Sequence, residues 1–159
     1  MTDRRQRLAF AGTLVLLFLL VGIGLGIVGN RTVAYVIEVV GAQDNPSGSP
    51  FVANTLFAGI LLYVGTGISL SAVFGSVTGF FFADEPRVGS AISGGSALVG
   101  VALLAFVALI LTGIAISGGG GGGEESSAPD PPTMAIGIAA VLSAVIAAVT
   151  SYVGSAISR

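Results

Sequence analysis

Gly24, Gly26 and Gly29 match the spacing GxGxxG, and Asp44 lies 20 residues beyond Gly24. That pattern, with an acidic residue about 20 positions on, is the fingerprint of a dinucleotide-binding turn. The chemistry requires a short strand before the glycines and a helix after them, so that backbone amides can meet a pyrophosphate. Here the preceding apolar stretch is helix-length and flanked by arginines. Asn30 and Arg31 follow at once, and no strand–helix alternation comes later. The glycines therefore read as a small-residue face of an apolar helix. The six glycines at 118–123 fail a similar test. A phosphate loop carries a Lys and a Ser or Thr just beyond its glycines, but Glu124 and Glu125 stand there and would repel phosphate.

Other reactive groups are scarce. The 159-residue chain contains no His, no Cys, no Trp and no Lys. Thiolate catalysis, imidazole bases and His/Cys metal sites are thereby excluded. The carboxylates Glu38, Asp44, Asp84, Glu85, Glu124, Glu125 and Asp130 fall in polar breaks or interfacial segments. None is paired for acid–base work. Neither a cofactor nor an enzymatic activity is expected, and a basic nucleic-acid footprint is missing. Asn30-Arg31-Thr32 is a glycosylation sequon, set close to the end of an apolar span. Arg4-Arg5 resembles a twin-arginine signal. Arg7 occupies a place where that signal prefers an apolar residue, and the apolar run that follows is too long for a cleaved signal.

What positions these residues is a membrane. The sequence is 53 % hydrophobic and only 9 % charged, with six basic and eight acidic residues. An ordinary soluble domain carries about 25 % charge. Leu8 to Val28 is uncharged, about 32 Å of helix against a hydrocarbon core of about 30 Å. Four such spans are expected, near 8–28, 55–79, 95–117 and 134–157, forming one all-α, integral membrane four-helix bundle. Gly29-Asn30 reads as the end of the first span. Val33, Val36, Ile37 and Val40 then fall at helical spacing, which predicts a short amphipathic helix at the interface over 31–42. Ser49 and Pro50 suit the cap and first position of the second helix. Residues 118–133 read as a flexible Gly-rich, acidic linker.

The spans carry stripes of small residues. Gly22 and Gly26 lie four apart in the first, and Gly67, Ser71, Gly75 and Gly79 in the second. Ala139, Ser143 and Ala147 lie in the fourth. Such stripes let helix backbones approach closely in lipid. They serve either packing inside the bundle or contact with a second copy or another membrane subunit. Gly65-Thr66-Gly67 also raises a second reading, a broken helix binding a substrate. The spans lack the ionisable groups that proton relays and voltage sensors use.

With the N-terminus inside, Arg4, Arg5, Arg7, Arg87 and Arg159 fall on the inner side and only Arg31 outside. The positive-inside rule then places both termini in the cytoplasm and the chain in the cell membrane. A Lys-free, acid-leaning composition rich in Gly, Ala and Val resembles the proteins of extreme halophilic archaea. The expectation is a small structural or accessory membrane protein, cellular or from a virus of such a host. The alternative is a channel or transporter component for a neutral solute, which would show a polar path through Thr66, Ser69, Ser76 and Thr78.

Overall fold

The computed structural model describes residues 4–41, 48–117 and 133–158. They form four α-helices: α1 (Arg4–Val39), α2 (Pro50–Phe81), α3 (Pro86–Ser117) and α4 (Thr133–Ile157). All four are long and apolar enough to cross a bilayer, which marks a multi-pass membrane protein. The segments 42–47 and 118–132, with Asp44, Glu124, Glu125, Asp130 and the expected linker, lie outside the described residues, as do Asp3 and Arg159.

The first helix corrects one expectation. No interfacial helix begins after Gly29-Asn30, because α1 continues unbroken through both residues for 36 residues, about 54 Å. Two packing contacts explain the continuity. The Asn30 side-chain amide donates to the Leu111 carbonyl of α3 at 2.8 Å, so its polar group is satisfied without a turn. Further along, Val33 and Ile37 pack against Val52 of α2. The helix ends at Val39, and Gly41 just beyond it, with a φ of 64°, takes the left-handed conformation that ends helices at little cost for glycine.

α2 begins where Ser49 and Pro50 place it, although the Ser49 side chain makes no capping bond. The Ser49 carbonyl accepts from the Ala53 amide instead. Phe82 closes the helix, its amide donating to the Thr78 carbonyl at 3.0 Å. A turn over 82–84 leads through Glu85 into Pro86, whose missing N–H costs nothing at a first helical position.

α3 is the hub, packing on each of the other three helices. The most extensive pairings are α1 with α3 and α2 with α4, and both are parallel. Along α1, Gly22 meets Leu104, Gly26 meets Ala108, and Gly29 meets Thr112. Along α2, Gly75 meets Ala147 and Gly79 meets Ser151. The α3–α4 contact is antiparallel, with Ser93 against Ala147 and Gly94 against Ala144. The principal apolar core holds Phe18, Tyr63, Ala97, Val101, Leu104, Ala108, Ala140 and Ala147. Phe18 meets Phe74 edge-on at 5.3 Å between ring centres.

Candidate functional site: the glycine and serine seams

Two helix seams hold the small residues. In lipid no hydrophobic force drives helices together, so close van der Waals packing must do it. The α1–α3 seam is built on absent side chains. A methyl group at Gly22 would lie 2.8 Å from the Leu104 Cα, and one at Gly26 would lie 3.1 Å from the Ala108 Cα. The contact is reciprocal one turn below, where Gly100 of α3 receives the Phe18 ring of α1, with Phe18 Cγ 2.7 Å from the position a Cβ would take. A side chain at Gly22 would have to push the α3 backbone away, and one at Gly100 would displace the Phe18 ring.

The α2–α4 seam follows the same principle. A methyl at Gly75 would lie 2.5 Å from the Ala147 carbonyl oxygen, and one at Gly79 would lie 3.0 Å from the Ser155 amide nitrogen. A methyl at Gly154 would come within 2.9 Å of the Ser76 carbonyl oxygen. Gly67 differs in meeting a side chain, Val101 of α3, at 3.0 Å. Ser71 is fully buried and donates to the Gly67 carbonyl at 2.7 Å. Ala139, Ser143 and Ala147 are all buried on the facing side of α4.

One signal in this seam escapes a helix-by-helix reading. Leu70, Ser71, Ala72, Val73, Val77 and Thr78 recur in the same order and spacing as Leu142, Ser143, Ala144, Val145, Val149 and Thr150. The repeat places Gly75 opposite its counterpart Ala147 and Gly79 opposite Ser151. α2 and α4 therefore meet through equivalent faces, side by side and parallel, as two copies of one helix would about a local two-fold axis. Comparing the second and fourth spans directly would have exposed the match.

Polar contacts tie the two ends of the bundle. Toward the far end, Tyr63 of α2 and Thr112 of α3 share a buried hydroxyl–hydroxyl bond of 2.7 Å, and Gly29 of α1 lies against both hydroxyls. At the other end, Arg7 pairs with Glu85 at 2.6 Å. Phe10 meets Phe81 at a tilt and Phe82 edge-on there, with ring centres 5.6 and 5.7 Å apart. These contacts bring the start of α1 and the α2–α3 turn to one end of the molecule. Long-range pairs of this kind leave no periodic trace in a sequence.

Gly24, Gly26 and Gly29 all lie within α1, with no strand before them among the described residues. Gly65-Thr66-Gly67 does not break α2 either. Gly65 has open space in front of it while Gly67 faces α3. Thr66 and Ser69 line a hollow on the outward side of α2 with Leu61, Leu62, Gly65 and Val73. Ser69, Ser76 and Thr78 each donate to the carbonyl four residues back, and Thr78 is buried while Ser69 is exposed. These four hydroxyls thus do not share one face. A second hollow lies between α1 and α2 at the far end, lined by Tyr35, Val39, Phe51 and Asn54 among others. No protein-family model, curated protein or solved structure matches the chain.

Proposed function

We propose that the protein is a small, non-catalytic integral membrane component with a structural or accessory role. Its partners in this reading are the lipid bilayer and other membrane subunits or further copies of itself. The observation that carries the reading is the filling of its small-residue faces. Gly22, Gly26, Gly75 and Gly79 meet backbone of the chain's own helices, so the interior is spent on packing. The charged side chains of the described residues lie toward helix ends and turns: Arg4, Arg5, Arg7, Asp84, Glu85 and Arg87 at one end, Arg31 and Glu38 toward the other. The four arginines of the first group, with Arg159 at the end of the sequence, stand against Arg31 alone and orient that end inward, with both termini in the cytoplasm. The acidic, Lys-free composition fits a cell membrane in molar salt, where a Debye length of about 3 Å leaves only dense surface charge effective.

The rival reading is a channel or transporter component for a neutral solute. Solute flux separates the two. Reconstituted into liposomes, the protein is expected to leave the permeability to glycerol and urea at the level of empty vesicles. Protein-dependent flux that saturates with solute would favour transport and remove the structural reading.

A further inference from the structure

We propose that the end of the bundle at the start of α1 holds an anionic phospholipid headgroup, with the guanidinium groups of Arg4 and Arg5 as its direct contacts.

The charges at this end do not cancel. Arg7 and Glu85 form the one ion pair among the described residues, which ties the start of α1 to the α2–α3 turn and occupies both side chains. Arg4, Arg5 and Arg87 are exposed and have no ion-pair partner among the described residues, and Asp84 is the exposed carboxylate at this end. Four arginines against Asp84 and Glu85 leave the end positive, although the whole chain carries a net charge of −2. Asp3 and Arg159, outside the described residues, add one charge of each sign.

Depth and direction bring Arg4 and Arg5 to the lipid. Residues three and four apart share one face of a helix, so both arginines lie on the same side of α1 as Leu8. That leucine is 64 % exposed, and on an apolar span an exposed leucine faces lipid. The two arginines stand about 4.5–6 Å further out at 1.5 Å per residue. A headgroup layer is about 5–7 Å thick, so they sit at the depth of the phosphates. Phe81, 72 % exposed and beside Phe10, marks the same apolar border on α2.

The residue type suits a phosphate. A guanidinium presents paired N–H donors that meet two phosphate oxygens at once, which a Lys ammonium does not, and the sequence contains no Lys. Contacts this close persist in molar salt, where screening removes attraction beyond about 3 Å. Within the helix the arginines gain nothing. The first turn of α1 has no acidic residue, and cations there oppose the positive end of the helix dipole. A bound phosphate offsets that cost because it meets the guanidinium groups and the helix terminus together.

This inference rests on the reading of a membrane-embedded component and names the lipid class such a component prefers. It fails separately from that reading, since solute flux says nothing of headgroup preference and headgroup preference says nothing of flux.

The test is native mass spectrometry of the full-length protein at 0.1 M salt, released from micelles that hold equal amounts of phosphatidylglycerol and phosphatidylcholine with the same chains. Phosphatidylglycerol should be the favoured first lipid, by about fivefold for each of Arg4 and Arg5. Arg4→Gln or Arg5→Gln alone should lower the preference about fivefold, and the two together should bring it near one. Arg31→Gln, at the other end of α1, should leave it unchanged. The double variant should melt no lower than the parent, so that lost preference reports on charge and not on folding. Equal binding of the two lipids by the parent overturns the proposal, as does a preference that the double variant keeps or that Arg31→Gln removes. If inorganic phosphate at the concentration of the lipid abolishes the preference, the site takes the free anion and the lipid assignment falls.

Discussion

Replacing Gly75 by Leu should loosen the bundle, and replacing Gly65 by Leu should not. Both glycines lie in the interior of α2, so both substitutions gain the same helix propensity, about 0.8–1 kcal/mol over glycine. The difference between them therefore isolates packing. At Gly75 the first carbon alone would lie 2.5 Å from the Ala147 carbonyl oxygen and 2.9 Å from its Cα. Ordinary contact would require α2 and α4 to separate by about 1 Å, and overpacking of this kind costs about 1–3 kcal/mol. The upper half of that range is expected, because backbone cannot swing aside as a side chain does. At Gly65 nothing lies within 4 Å, and the leucine simply meets lipid. Thermal unfolding in detergent, with chemical cross-linking to follow assembly, compares the two. Equal stability of Gly75→Leu and Gly65→Leu would refute the claim that the α2–α4 seam depends on absent side chains.

Other contacts yield smaller effects. Tyr63→Phe should cost about 1–3 kcal/mol by stranding the Thr112 hydroxyl, and adding Thr112→Val should restore much of it, a coupling that a double-mutant cycle measures. Arg7→Gln or Glu85→Gln should cost about 0.2–1 kcal/mol, since both side chains are about one-third exposed, at 31 % and 33 %, and the loss should shrink as salt is raised. The purified protein should disperse and melt better in 3 M than in 0.1 M salt, and identical behaviour would remove the argument from composition.

The four helices were legible in the sequence because charge is confined to their ends. Leu8–Val28 and Phe51–Phe82 contain no charged residue, and in a chain this apolar such runs have one regular conformation that satisfies their backbone. The extra turns of α1 were not legible. Gly29-Asn30 ends helices when water competes for the asparagine amide, but here the competitor is the Leu111 carbonyl on another helix. The stripes on α2 and α4 were visible as stripes. Their partners were not, since period-four spacing describes one helix and says nothing of which neighbour fills it. Gly89, Gly100 and Gly154 contribute to the seams from positions where the spacing is diluted by larger residues.

The arrangement of four spans with both termini inside is tested most directly by labelling single cysteines, to which the Cys-free sequence lends itself. Ser127→Cys lies between the third and fourth spans, and Ser158→Cys lies just beyond α4. With a membrane-impermeant maleimide on intact cells, Ser127→Cys should react at once and Ser158→Cys only after the membrane is opened. Reaction of both from outside, or of neither, would contradict the fourth crossing on which the whole account rests.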